Sequence, residues 1–199
     1  MFNNIEITAG DILLSGGAQG ADAAFGEAAI TAGHQVVHWS FNGHKTNVDH
    51  VYMLNDEQLH AADPHINIAN KSLLRTFPSK KDYTNNLIRR NYYQVKWCES
   101  VYAISSFKND SSMLKVDGGT AWAVQMYVDR FLFDQEPFKL CKLYLFDQKS
   151  NEWYQWNKIW TRIDKPPRPD GVYAGIGTRE LTDTGLAAIN SLYATDAKA

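Results

Sequence analysis

The chain has 199 residues, of which 44% are hydrophobic and 21% are charged, and its formal net charge is −2. This length fits one domain with a buried core, and the slight acidic excess gives no general attraction to nucleic acid, which we therefore do not expect as a partner. Without a basic-then-apolar leader or an apolar run of bilayer length, we expect a cytoplasmic protein, of a bacterial cell or of a virus-infected host cell, that makes no membrane contact.

The first forty residues alternate between strand and helix patterns. After an N-terminal segment, residues 1–10, the apolar run at residues 11–15 predicts a buried strand. Residues 20–32 repeat alanine at helical spacing and end at Gly33, a typical C-cap. Residues 35–39 predict a second strand. A helix between two strands is a crossover unit, so the two strands are predicted to be parallel.

The middle of the chain begins with a polar excursion over residues 40–82. It contains two prolines and a helix-compatible stretch at residues 56–62, so we expect irregular structure with a short helix or two. Residues 83–97 return to helical spacing, and residues 101–105 predict a strand. A polar loop at residues 108–115 follows.

Further elements alternate in the same way after that loop. Residues 121–131 predict a helix, and residues 142–146 predict another strand. Residues 152–160 alternate in a manner that predicts a hairpin or an edge strand, with Asn151 in the preceding turn.

The clearest linker is the proline-rich segment 165–171, because three prolines in five residues fit neither a helix interior nor a central strand. It joins the domain to a last strand and helix, at residues 172–176 and 183–194. Strands that alternate with helices predict an α/β fold: a Rossmann-like, doubly wound and mostly parallel sheet with helices on both faces. We interpret residues 1–199 as one such domain.

Three segments share the layout of strand, small residues and helix: residues 15–22, 117–120 and 175–180. Glycine permits close approach of a ligand, and a helix start presents free N–H groups that favour anions. In a parallel sheet such turns meet at the carboxyl ends of the strands. Each turn taken alone is equally well explained as a plain tight turn. Neither the P-loop nor the complete dinucleotide fingerprint is present.

Residues 14–25 read LSGGAQGADAAF and residues 173–182 read YAGIGTRELT. Together with the Arg89-Arg90-Asn91 segment and residues 118–120, they resemble the SLOG superfamily, which includes YpsA-like proteins, DprA-like DNA-processing proteins and LOG-type phosphoribohydrolases. The family's usual order of the two glycine turns is reversed here. The resemblance therefore implies a circularly permuted, YpsA-like arrangement in which the strand at residues 172–176 would come first.

The resemblance implies a ligand with a phosphate and a ribose or base, such as an ADP-ribose-like signal, and no other cofactor. Backbone N–H groups and hydroxyls would hold phosphate, with Arg179 as the fixed cation. Arg179 could instead form an ion pair with Glu180 or Asp22, and Asp22 could cap its helix rather than contact ribose. The predicted ligand-binding residues are Ser15, Gly16, Gly17, Ala18, Gln19, Asp22, Trp39, Asn42, Arg90, Asn91, Gly118, Gly119, Thr120, Gly175, Gly177, Thr178, Arg179 and Glu180.

Two of these residues lie just beyond a predicted strand. Trp39 could stack on a base and Asn42 could bond to it, although packing of the tryptophan is the plainer reading. The histidines show no metal-ligand spacing, so no metal is expected. The tryptophans at residues 153–160 fit packing over a sheet edge or a contact in a homo-oligomer, which the resemblance also implies.

The expectation about catalysis depends on one position at which the chain differs from the LOG-type hydrolases. LOG-type hydrolases carry a glutamate three residues after the threonine of their glycine turn, and this chain has Ala123 there. Asp22, Asp117 or Glu180 could substitute, but no pattern assigns that role. We therefore expect a binding protein, as a sensor, carrier or sequestering protein in host or phage defence signalling. The alternative is a nucleotide N-glycosidic hydrolase or transferase, and single-stranded DNA binding of the DprA type is disfavoured.

Overall fold

The structure is a computed structural model that describes residues 10–46, 48–49, 51–108, 114–133 and 141–194. Most of the predicted N-terminal segment and most of the predicted loop at residues 108–115 lie outside these ranges. The strands are β1 Ile12–Ser15, β2 Gln35–Phe41, β3 Tyr52–Leu54, β4 Ser100–Ser105, β5 Lys142–Asp147, β6 Glu152–Asn157, β7 Ile159–Ile163 and β8 Val172–Gly177. The helices are α1 Ala21–Thr31, α2 Asp56–His60, α3 Asp63–Leu73, α4 Asp82–Val95, α5 Thr120–Phe133 and α6 Asp183–Tyr193.

The strands form one eight-stranded sheet in the order β3-β2-β1-β8-β4-β5-β6-β7. The first six strands of this order are parallel, and β6 and β7 extend the sheet as an antiparallel hairpin. This confirms the predicted mostly parallel α/β sheet. The strand nearest the C-terminus, β8, lies inside the sheet, where Leu14 pairs with Ala174 on one side and Ile104 with Gly177 on the other.

Helices cover both faces of the sheet, as predicted. On one face α1 packs on β1, β2 and β8 and contacts α6, around buried Phe25, Tyr173 and Ile189. On the other face α4 and α5 cover the central strands and α3 packs on α5, around buried Trp39 and Tyr127. No helix within the described ranges combines the length and the apolar character that a bilayer crossing needs.

The segment at residues 40–82 is more regular than expected. It contains the short strand β3, the helix α2 and the eleven-residue helix α3. Pro64 lies in the first turn of α3, where backbone N–H groups have no acceptor within the helix. The missing N–H of the proline therefore costs no hydrogen bond there. Asn55 begins α2 with a capping box to Gln58.

The edge of the sheet next to β5 is the predicted hairpin. Asn151 lies in the turn before β6 with a φ of 56°, and Lys158, with a φ of 64°, makes the tight turn between β6 and β7. The rings of Trp156 and Trp160 lie 5.3 Å apart across the two strands. Their packing accounts for the tryptophan-rich segment, and self-association through this edge stays a prediction.

Cys98 and Cys141 are both free and buried. Burial raises the pKa of the Cys98 thiol to about 12, against a smaller opposing effect of Arg130. Burial also raises the pKa of Cys141 to about 12. Thiols with such pKa values stay protonated and unreactive at neutral pH.

Close packing explains why β8 carries a glycine at its centre. A Cβ placed on Gly175 would lie 2.5 Å from Phe25 Cγ and 2.8 Å from Leu13 Cδ1. We predict that Gly175→Ala lowers the free energy of unfolding by about 1–3 kcal/mol through overpacking. Urea unfolding checks this, with Gly119→Ala as the control because no atom lies within 4 Å of its added Cβ. Equal stability of the two variants would contradict the prediction.

Candidate functional site

The predicted turns after β1 and β8 meet at the carboxyl edge of the sheet. The Ser15 hydroxyl donates to Gly175 O at 2.8 Å, and the Ala21 N–H donates to Thr178 O at 3.0 Å. Gly20 approaches the backbone carbonyls of Thr178 and Arg179 so closely that a side chain would clash with them. Strand order reverses at β8, which is the place where doubly wound sheets bind ligands.

Asp22, in the first turn of α1, is the most highly connected side chain at this edge. One carboxylate oxygen accepts from Arg90 Nη1 at 3.1 Å and from Gln94 Nε2 at 3.3 Å. The other oxygen accepts from the Gly177 N–H at 3.0 Å. Only 4% of Asp22 is exposed. Burial raises the pKa of the Asp22 carboxyl, while Arg90 and the two other donors act against that rise.

This ion pair shows why Gly16 is a glycine. Arg90 comes from α4 on one face of the sheet, and Asp22 belongs to α1 on the other. The Arg90 guanidinium passes through the space where a side chain at residue 16 would lie. Gly16 therefore leaves room for a link between the two helix layers, in addition to any role toward a ligand.

Arg90 uses few of its donors. Its side chain is 6% exposed and Nη1 is bonded to Asp22. Nε is buried without a hydrogen-bond partner, and no residue in the described ranges accepts from Nη2. A guanidinium offers five N–H donors, and buried donors without acceptors are costly. Arg89, in contrast, forms a two-fold hydrogen bond with Asp63 at 2.7 and 2.9 Å.

Arg179 and Glu180 are exposed beyond the end of β8. Neither of the ion pairs proposed as alternatives for Arg179 forms, because Asp22 pairs with Arg90 and Glu180 has no salt bridge within the described ranges. The Thr178 hydroxyl accepts from the Glu180 N–H at 3.2 Å. Arg179 thus lies beside the turn at residues 16–20 without an ion-pair partner in the described part of the chain.

The turn after β1 combines buried and exposed positions. Gly16, Gly17 and Ala18 are buried, whereas Gln19 is exposed. Gly17 has a φ of 61°, which favours glycine. Ser15 is fully buried and its hydroxyl is engaged with backbone carbonyls. Its geometry supports a structural role rather than the expected phosphate contact.

Trp39 and Asn42 lie apart from each other. Trp39 is 2% exposed and packs in the core, with its ring 4.9 Å from that of Tyr52 and 5.5 Å from that of Tyr93. The plainer reading, core packing, therefore fits its position better than base stacking. Asn42 is exposed in the turn that follows β2.

The third predicted turn precedes α5. No atom of the described residues lies within 4 Å of a Cβ added at Gly118 or at Gly119. Arg75 Nη1 donates to Gly118 O at 2.6 Å on another side of the turn. Asn91 Nδ2 donates to Gly119 O at 3.3 Å, which connects α4 to the turn. Thr120 is 6% exposed, and its hydroxyl has no partner among the described residues. The structure thus brings Arg90 and Asn91 to two different turns of the same edge.

The three candidate acids differ in their surroundings. Asp22 is committed to Arg90, while Asp117 and Glu180 are both exposed. The Asp117 carboxylate accepts from the Gly118 N–H at 2.8 Å. Among these three, no carboxylate is both buried and free to take a proton from a ligand.

Sequence reasoning missed two histidines that flank the turn after β1. The His38 ring lies over α1, where a Cβ at Gly26 would lie 2.7 Å from Cε1 and Nε2. His44 follows β2, and its ring stacks on Phe41 at 5.0 Å. Burial lowers the pKa of each imidazole to about 4, with Arg90 acting in the same direction. Both are therefore neutral at pH 7, and the only available signal was their place beside the end of a strand.

Comparisons of the chain with family models, with curated proteins and with solved structures found no match. The likeness to the SLOG superfamily accordingly stays a prediction from the motifs. In the part of the chain that the structure describes, no group of three or more His, Cys, Asp and Glu side chains could hold a metal ion.

The Asp22–Arg90 pair generates a stability prediction. We expect Asp22→Ala to lower the free energy of unfolding by about 3–5 kcal/mol, because it leaves a buried guanidinium without its counter-charge. Denaturant unfolding measures this. Glu152→Ala is the control, since it breaks the Arg162–Glu152 pair, whose arginine side chain is 68% exposed, and should cost about 1 kcal/mol or less. Equal losses in the two variants would contradict a special role for the buried pair.

The buried histidine at position 38 predicts a pH dependence. The unfolded chain binds a proton at His38 with a pKa of 6.5, whereas the folded chain does so at about 4. Stability should therefore fall as the pH drops from about 6.5 to about 4, by at most about 3 kcal/mol from this residue. Urea unfolding of His38→Phe should show a smaller fall than the unsubstituted protein, with exposed His60→Phe as the control substitution. Parallel pH profiles for His38→Phe and the unsubstituted protein would refute this.

Proposed function

We propose that the protein binds the phosphate group of a nucleotide-derived ligand at the carboxyl edge of its sheet. The observation that carries this proposal is the state of Arg90: among the described residues, its almost fully buried guanidinium has a partner for Nη1 and none for Nε. A phosphate oxygen is an acceptor that fits the remaining donors of a guanidinium.

Other groups beside Arg90 favour an anion as well. The charge of Asp22 is balanced by Arg90, and Arg179 is exposed beside the turn at residues 16–20 without an ion-pair partner among the described residues. Within the described chain, the N–H groups of residues 17–19 donate to no backbone acceptor. The start of α1 follows directly, with no side-chain cap at Gly20. In α1 the N–H groups of Ala21 and Ala23 are bonded to Thr178 O and Ala18 O, so the donors that remain for a phosphate are those of the preceding turn.

The same geometry favours binding over hydrolysis. Cleavage of an N-glycosidic bond needs a carboxyl or another base placed next to the scissile bond. The carboxylate of Asp22 accepts three hydrogen bonds, and the other two candidate acids are exposed. We therefore propose a sensor, carrier or sequestering protein, for which an ADP-ribose-like signal is the favoured type of ligand.

Calorimetric titration with inorganic phosphate, AMP and ADP-ribose tests the proposal. We expect all three to bind. Arg90→Lys should lower their affinities by about 10- to 100-fold, since it keeps the positive charge opposite Asp22 but removes the other guanidinium donors. Arg89→Lys is the matched control, because the guanidinium of Arg89 is occupied by Asp63. Thermal unfolding of each variant verifies that it is folded.

Arg179 provides a second arm of the test. Arg179→Ala should weaken phosphate binding without a change in stability. Arg162→Ala, at the far edge of the sheet, should leave phosphate binding unchanged. Failure of all three probes to bind, or unchanged binding in Arg90→Lys, would refute the proposed function. Release of free adenine from AMP would show that the protein is a hydrolase instead.

A further inference from the structure

His44 has an unusual environment for a residue of a surface turn. The backbone N–H of His44 donates to Phe41 O at 2.9 Å. In the side chain, Nδ1 lies 3.0 Å from Ser40 Oγ, and the ring is nearly parallel to that of Phe41, at 19°. The backbone bond fixes the turn, and the two ring contacts hold the imidazole in one orientation. Nε2, on the far side of the ring, is buried without a hydrogen-bond partner among the described residues.

The Ser40 hydroxyl determines which nitrogen of His44 carries the hydrogen. Ser40 is 2% exposed, and its hydroxyl has no acceptor other than His44 Nδ1 among the described residues. If Nδ1 were protonated, the Ser40 hydrogen would remain buried and unbonded, which is costly. Donation from Ser40 to Nδ1 avoids that cost. In the resulting neutral tautomer, Nε2 carries the hydrogen and is a donor.

The charged neighbours of this donor are the two arginines that bind phosphate in the proposed function. His44 follows β2, the parallel neighbour of β1, so it lies at the same carboxyl edge as the turn at residues 16–20. Arg90 and Arg179 both lower the pKa of His44 there, after the larger effect of burial. A cation cannot accept a hydrogen bond, so neither arginine satisfies Nε2, whereas an anionic ligand at this edge would offer it an acceptor.

We infer that His44 is a binding residue of this site and that its Nε2–H donates a hydrogen bond to an oxygen of the ligand's phosphate. This inference rests on the proposed function and adds a residue that no motif indicated. Ser40 is a positioning residue, which acts through the tautomer of His44. Because the pKa of His44 is about 4, the imidazole makes this contact as a neutral donor at pH 7.

The binding test uses His44→Phe, which keeps the stacked ring and removes the donor. We expect this substitution to lower the affinity for inorganic phosphate, AMP and ADP-ribose by a similar factor of about 5 to 30. Thermal unfolding should show that the variant is folded. Ser40→Ala should lower these affinities by a smaller factor, of about two to five, and should cause no further loss in the His44→Phe background. This non-additivity distinguishes positioning through His44 from a separate structural effect.

Nitrogen NMR of the imidazole provides a readout that needs no ligand. We expect the neutral tautomer with hydrogen on Nε2 in the free protein, and a larger share of the other tautomer in Ser40→Ala. Hydrogen on Nδ1 in the free protein would overturn the inference. So would unchanged phosphate binding in His44→Phe, or a loss confined to AMP and ADP-ribose, which would place His44 against sugar or base.

The outcomes separate the two proposals. Suppose that the unsubstituted protein binds phosphate, that Arg179→Ala weakens this binding and that His44→Phe does not. The inference about His44 is then wrong and the proposed function stands. If the unsubstituted protein binds none of the three probes, both fall together.

Discussion

The buried ion pair between Asp22 and Arg90 is the interaction on which this edge of the molecule depends. It joins α1 on one face of the sheet to α4 on the other, past the end of β1. Through Gly177 and Gln94 it also fixes the end of β8 and a second turn of α4. Because a buried charge is tolerated only when it is paired and hydrogen-bonded, these parts have to stay together.

The same pair determines the chemistry that the edge offers to a ligand. It neutralises the buried carboxylate of Asp22 and leaves donors of Arg90 without acceptors among the described residues. His38 and His44 stay neutral beside it, since burial and the nearby guanidinium both disfavour their protonation. A chain with a net charge of −2 thus places Arg90 and Arg179 at one edge of its sheet. The proposed binding of an anion rests on these side chains and not on the fold that presents them.

Sequence patterns predicted most elements because buried strands and amphipathic helices have distinct hydrophobic periods. They failed at residues 40–82, where polar residues conceal α3 and where Pro64 occupies a first-turn position that only the folded backbone identifies as such. Trp39 shows a different kind of failure. It lies inside β2 rather than beyond the end of that strand, and the face of the sheet to which its side chain belongs depends on the helix that covers it.

The sequence by itself determined the alternation of strands and helices, the glycine turns and the arginine beside the last strand, because these follow from local spacing and residue type. Only the tertiary structure decided that Asp22 pairs with Arg90, that Gly16 makes room for this pair, and that His44 Nε2 is buried without a hydrogen-bond partner among the described residues. The physical reason is that partners 68 residues apart meet only after the helices have packed on their respective faces. Their hydrogen bonds are set by that packing, which no local pattern encodes.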